Sequence, residues 1–173
     1  MSEFMEVARN RRSIRRYTCE PLSAEQIATL KEAMLRAPSS RGLRAGRYVF
    51  VTDRATLDEL SRCKLQYAGF LAGASLGVVV AADERVSDVW VEDAAIAATF
   101  LQLAAADLGL GSCWVQIRER DYDGTLSAED RVRQICGMPR EHRIACIVSI
   151  GVPAEEKPSW PESHLRQDSI TDL

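Results

Sequence analysis

WVEDAAIAATFLQLAAADL, residues 90–108, places apolar side chains on nearly every side of a helix: Trp90, Val91, Ile96, Phe100, Leu101, Leu103 and Leu108, with alanines between them. Ser87 or Asp88 is the candidate start and Gly109 the stop. A helix that is apolar all round is buried all round. In a chain of 173 residues a single core is hard pressed to cover every face, so part of the covering is expected from a second copy of the chain. The alternative is a central helix wrapped by its own chain. Either way the segment forms the middle of the fold, and its uncharged run from Ala94 to Ala106 is too short to span a bilayer.

Outward from that helix the chain alternates. On the N-terminal side, Phe4, Val7 and Ala8 fall at i, i+3 and i+4 and predict a short helix that Ser2 caps. Ser23 and Gln26 form a capping box for a helix through Ile27, Leu30 and Met34, which Pro38 ends. Tyr48 to Val51 reads as a strand, Thr56 to Cys63 as a helix, and the run LGVVVAA, 76–82, as a buried strand. On the C-terminal side follow a strand at Ser112 to Ile117, a helix from Ser127 to Cys136 closed by Gly137, and a strand at Ile144 to Ile150. This alternation describes a sheet layered with helices. No linker or repeat interrupts residues 1–173, so one domain is expected, with a polar, proline-containing tail from about 154 to 173 that frays or lies across a partner.

Composition excludes several classes. The formal net charge is −3, yet Arg9, Arg11, Arg12, Arg15 and Arg16 crowd into one stretch, RNRRSIRRYT (9–18). Basic character gathered at one point fits a local anion site and not the basic stripe of a nucleic-acid surface. The five cysteines show no zinc or disulfide spacing, which with an acidic, amphipathic N-terminus predicts a cytoplasmic protein with free thiols, no metal and no membrane segment. There is no P-loop, HExxH or G-x-S-x-G, and GLGLGSCW follows a helix instead of opening one, so it is no dinucleotide fingerprint.

Arginine presents a planar fork of N–H donors suited to a phosphate, and Ser13 adds a hydroxyl among four nearby cations. A phosphate monoester is the expected guest. The competing reading is a solvated basic turn paired with the acidic surface, which contributes little. A second basic, serine-bearing loop, PSSRGLRAGR (38–47), tilts the balance toward a bound anion.

RRSIRRY at 11–17, APSSRG at 37–42, VEDAAIAATFLQLAAADLGLGSCW at 91–114 and IVSIGVPAEEKP at 147–158, in that order and over nearly the whole chain, closely resemble the nitroreductase family of flavin enzymes. The resemblance implies an α+β fold, with a central, mostly antiparallel sheet flanked by helices, and an intertwined homodimer with FMN at the interface. It also implies oxidoreductase chemistry, with hydride passing from NADH or NADPH through FMN to a small electron-poor acceptor, a nitroaromatic or a quinone, the two substrates taking turns in one pocket. A flavin-binding protein without turnover is the alternative. Matched residue by residue, Arg11, Arg12, Ser13 and Arg15 hold the phosphate and ribityl chain. Pro38, Ser39 and Ser40 come from the partner subunit, and the backbone of Trp114, Val115, Gln116 and Ile117 runs along the flavin ring. Gly151 closes the last strand, and Lys157 or Arg166 is a late phosphate contact. No catalytic side chain is expected, because the cofactor carries the reaction. The chain departs from the family pattern at Ala45 and Gly46, where members commonly have Pro-Trp. The loss of both predicts a looser loop and weaker cofactor retention.

Overall fold

A computed structural model describes residues 3–18 and 20–172. The expected cap at Ser2, and Cys19, lie outside the described residues. Helix α1 spans Glu3–Asn10. The capping box of α2 (Ala24–Arg36) forms in full: the Gln26 N–H donates to Ser23 Oγ at 3.1 Å, and the Ser23 N–H to Gln26 Oε1 at 2.9 Å. Strand β1 is Gly46–Val51. Helix α3 (Arg54–Ser61) begins at Arg54 and not at Thr56, because Asp53 accepts from both the N–H and the hydroxyl of Thr56, at 2.8 and 2.7 Å. Strand β2 (Leu76–Asp83) is buried at every position. Helix α4 is Trp90–Asp107, β3 is Gly111–Gln116, α5 is Ala128–Cys136, capped by Ser127 and closed by Gly137 in the left-handed region, and β4 is His142–Gly151.

The four strands pair in the order β1-β2-β4-β3 with every ladder antiparallel. On one face, Leu30 and Met34 of α2 and Ala94, Ala97, Ala98 and Leu101 of α4 pack on Val78, Val80, Val148 and Ile150. On the other, Leu57 and Leu60 of α3 and Ala128 and Val132 of α5 pack on Val79, Ala81, Ile144 and Ile147. The alternation of β2 and β4 side chains between two helical layers is what makes both strands read as continuous apolar runs. The architecture is α+β.

One expectation for the central helix changes, and one is met. Neither Ser87 nor Asp88 caps it: Val89 is the N-cap and offers no side-chain bond. The Ser87 hydroxyl instead donates to Asp93 Oδ2 at 3.0 Å, and Asp88 pairs with Arg41. As expected, one chain does not bury α4 all round. Ala94, Ala97, Ala98, Leu101 and Ala105 are buried, whereas Ile96 and Phe100 remain 37% and 38% exposed. With half-buried Leu103 they form an apolar stripe along the helix that its own chain leaves uncovered.

Candidate functional site

Residues 11–17 lie in an extended path across the end of β3 and β4, held there by their inward-facing side chains. Ile14 is buried over Gly111 and Tyr17 packs over Gly151, and a side chain at either glycine would collide with them. The backbone is fixed at both ends, with the Ile14 N–H on Ser112 O and the Thr18 N–H on Val152 O, both at 2.9 Å. The Tyr17 hydroxyl bonds Ile14 O at 2.5 Å and Ser149 Oγ at 2.7 Å, and burial pushes its pKa well above the ordinary phenol value. With Ile14 and Tyr17 turned inward, the arginines are left on the outside.

Those arginines do not pair with the acidic surface as a solvated turn would. Among the described residues the guanidinium of Arg11 makes no ion pair or hydrogen bond, and that of Arg15 lies only against the Phe70 ring, 5.7 Å from its centroid. The Glu155 carboxylate accepts from the backbone N–H groups of Arg15 and Arg16, at 2.6 and 3.3 Å. The Arg15 N–H, with Lys157, holds that carboxyl below its ordinary range. Lys157 Nζ sits 3.2 Å from Glu155 and donates to Ser13 O at 2.6 Å. Burial pushes the Cys113 thiol up, while Arg15, Lys157 and Arg11 all pull it down. The start of β3 thus lies within electrostatic reach of three cations. Beside them a cleft of about 940 Å³ opens between α1, the end of α4 and the tail, where Arg11, Arg12 and Lys157 face a rim of carboxylates that includes Glu3, Glu6 and Glu156. Arg12 behaves differently: it donates to Pro158 O and lies 4.4 Å from the centroid of the Trp160 ring.

Strand β3 is an edge. Ser112 accepts from Ile14 on the side away from β4, so by the alternation of an antiparallel ladder the backbone groups of Trp114 and Gln116 share that outer edge. Val115 and Ile117 are buried in the core beneath it. The indole of Trp114 donates to Gln116 Oε1 at 2.9 Å and the Gln116 amide to Arg118 O at 2.9 Å, which fixes both side chains along the strand. The open backbone edge therefore begins where the basic segment ends.

Pro38, Ser39 and Ser40 lie elsewhere. The Ser40 N–H donates to Asp93 Oδ1 at 2.8 Å, beside the first turn of α4, whereas the arginine cleft meets Ala106 and Asp107 at its last. At 1.5 Å per residue the two basic, serine-bearing loops are separated by about 20 Å of helix. One chain does not bring them together. The loop is also not loose, contrary to the expectation from Ala45 and Gly46. Ser39 Oγ accepts from the Arg44 N–H at 3.0 Å, Ser39 O from Gly42 N–H at 3.0 Å, Arg41 pairs with Asp88, and Ala45 is fully buried. The space beside Gly46 is filled by Tyr48.

Of the expected tail contacts, Lys157 reaches the basic segment, and Arg166 pairs with Asp168 at 3.0 Å on the surface. Sequence reasoning missed Glu155, Phe70 and Trp160, none of which stands in a recognisable spacing with the arginines; contacts made only by the folded tail and the segment before β2 bring them there. Among the described residues no helix is long and apolar enough to cross a membrane.

The family model for the nitroreductase family matches residues 8–68 and 58–152. An FMN-dependent nitroreductase from Clostridium difficile R20291 superposes with a TM-score of 0.95 at 39% identity, covering 97% of this chain and 98% of that one. An Archaeoglobus fulgidus relative with the provisional name NADH dehydrogenase/NAD(P)H nitroreductase is 32% identical over 161 residues, 91% of this chain and 89% of its own. A relative of the same provisional name from Methanothermobacter thermautotrophicus is 30% identical over 160 residues, 88% and 78% of the two chains. Matched along nearly its whole length in sequence and in fold, the chain belongs to the nitroreductase family.

Proposed function

We propose that the chain is a one-domain, cytoplasmic, FMN-dependent oxidoreductase that works as a homodimer, with NADH or NADPH as donor and a small nitroaromatic or quinone as acceptor. The observation that carries this is the set of cations at the head of β3: among the described residues the Arg11 and Arg15 guanidiniums have no carboxylate partner, and Lys157, paired with Glu155, reaches Ser13 beside them. Such donors fit a phosphate monoester. Arg11, Ser13, Arg15 and Lys157 bind the phosphate and ribityl chain. From there the open edge of Trp114 and Gln116 offers backbone N–H groups along the ring, kept rigid by Val115 and Ile117 in the core, and Gly151 acts through the seat it gives Tyr17. FMN held there would supply the redox chemistry, hydride transfer between the nicotinamide and the acceptor.

The homodimer follows from the two separated loops. Two copies packed antiparallel through the stripe of Ile96, Phe100 and Leu103 bring the 38–40 loop of one against the basic segment of the other. Pro38, Ser39 and Ser40 then wall the ring from the second copy, and the loop's own hydrogen bonds hold that wall in place before cofactor arrives. The chemistry needs no side chain as general acid or base, so protons come from solvent. The absorption spectrum of the purified protein tests the reading: bound oxidised flavin that bleaches with NADH or NADPH under anaerobic conditions is expected. Protein that is colourless and fails to take up added FMN overturns it.

A further inference from the structure

The C-terminal tail runs antiparallel to the basic segment and contacts it almost residue by residue. Tyr17 bridges Pro153, the Ala154 N–H donates to Arg16 O at 2.9 Å, Glu155 receives the N–H groups of Arg15 and Arg16, and Lys157 reaches Ser13 O. The last contact is made by Arg12, which holds Pro158 O and the face of Trp160. Trp160 also has the His164 ring 5.5 Å away, and it is 59% exposed. An exposed tryptophan in a polar tail buries little apolar surface on its own chain; its specific partner is the cation. Arg12 in turn engages the tail through its guanidinium, at the rim of the cleft that Arg11 and Lys157 also line.

We propose that residues 153–164 form a strap that pre-organises the phosphate clamp, in which Trp160 is a positioning residue and Arg12 is the anchor of the strap and not a phosphate ligand. The strap fixes what the clamp needs. Glu155 aligns the backbone at Arg15 and Arg16 without neutralising their guanidiniums, and Lys157, attached to the same strap, is carried to Ser13. Without the Arg12–Trp160 contact the end of the strap is free, and Lys157 loses its fixed position.

The inference rests on the FMN reading for its affinity consequences, and on the chain alone for its structural ones, so two measurements separate the two. Amide hydrogen exchange over 153–164 in the full chain, without added flavin, is compared for wild type, Trp160→Ala, Trp160→Phe, Arg12→Ala and the double alanine variant. Loss of a cation–π contact at an exposed site predicts exchange about two- to fivefold faster in Trp160→Ala. Trp160→Phe retains most of the protection, and Trp160→Ala adds nothing once Arg12 is alanine. FMN and riboflavin affinities are then measured on the same proteins. Trp160→Ala weakens FMN by a similar factor, leaves riboflavin unchanged, and has no effect in the Arg12→Ala background. Unchanged exchange in both single variants overturns the strap, whether or not FMN binds. Additive effects on FMN affinity, with Arg12→Ala far the larger, overturn the anchor role and return Arg12 to the phosphate. If no variant, wild type included, binds FMN while the exchange pattern is as expected, the strap stands and the cofactor reading fails.

Discussion

Gly111 and Gly151 stand opposite each other across the β3–β4 ladder, and together they leave one rung without side chains. A Cβ on Gly111 would lie 2.7 Å from Ile14 Cγ2, and one on Gly151 2.9 Å from Tyr17 Cδ1. The basic segment rests in that trough, so the orientation of its arginines depends on two residues that carry no charge and lie far away in sequence. Gly111→Ala is expected to force Ile14 outward, at a cost of about 1–3 kcal/mol typical of overpacking. Urea unfolding should show a lower midpoint with an unchanged slope, and FMN affinity should fall with it. An alanine variant as stable as wild type would mean that Ile14 is not seated on the sheet.

The clamp itself is tested by Arg11→Ala and Arg15→Ala. A hydrogen bond to a charged group contributes about 1.5–3 kcal/mol, so each change should weaken FMN about 10- to 150-fold. Riboflavin, lacking the phosphate, should bind each variant as it binds wild type. Equilibrium titration of the apo proteins measures both, and equal losses for the two ligands would place the arginines against the ring system instead.

Much of this fold is legible in the sequence because its signals are local. Ser23 with Gln26, Ser127 with Gly137, and the run from Leu76 to Ala82 each declare an element within a few residues, and each forms. What was not legible depends on contacts between distant residues. Ser87 is a plausible helix cap, yet its hydroxyl is drawn to Asp93 and α4 starts after it. The arginine cluster is conspicuous, but how its members are turned relative to the sheet is decided by Gly111, Gly151 and Glu155, and no spacing links these to residues 11–16. The apolar surround of α4 was read correctly as more than one core can cover; which stripe stays open emerges only from the packing.

That stripe provides the third prediction. Phe100 lies midway between the two loops on α4 and is 38% exposed in the single chain. Phe100→Glu leaves the chain's own core intact, since Leu101 and Ala97 face it, but places a charge in the proposed contact between copies. Sedimentation velocity should show wild type at twice the chain mass and the variant shifted to monomer at micromolar concentration. FMN should be lost with the dimer, because the 38–40 loop no longer reaches the arginines. A variant that remains dimeric would move the interface off α4.

The departure at Ala45 and Gly46 invites a repair toward the family's Pro-Trp, and the structure argues against it. A Cβ at position 46 would sit 2.1 Å from the Tyr48 hydroxyl oxygen and 2.6 Å from its Cζ, so Tyr48 already fills the place that a tryptophan would take. Tyr48 is itself packed against the core formed by α2, α4 and the sheet, and Ala45 beside it is fully buried, so a proline ring there would have to be fitted into packed interior. The loop has no need of that stiffening, because Ser39, Ser40 and Asp93 already tie it down. Gly46→Trp is therefore expected to displace Tyr48 and destabilise the protein by about 1–3 kcal/mol, as overpacking does, without tightening FMN. Tyr48→Ala in the same chain vacates the space, so the double variant should recover part of the lost stability although Tyr48→Ala alone lowers it. Thermal melts of the four proteins measure this cycle. Independent, additive losses would show that Tyr48 and a side chain at 46 do not compete, and that glycine stands there for some other reason.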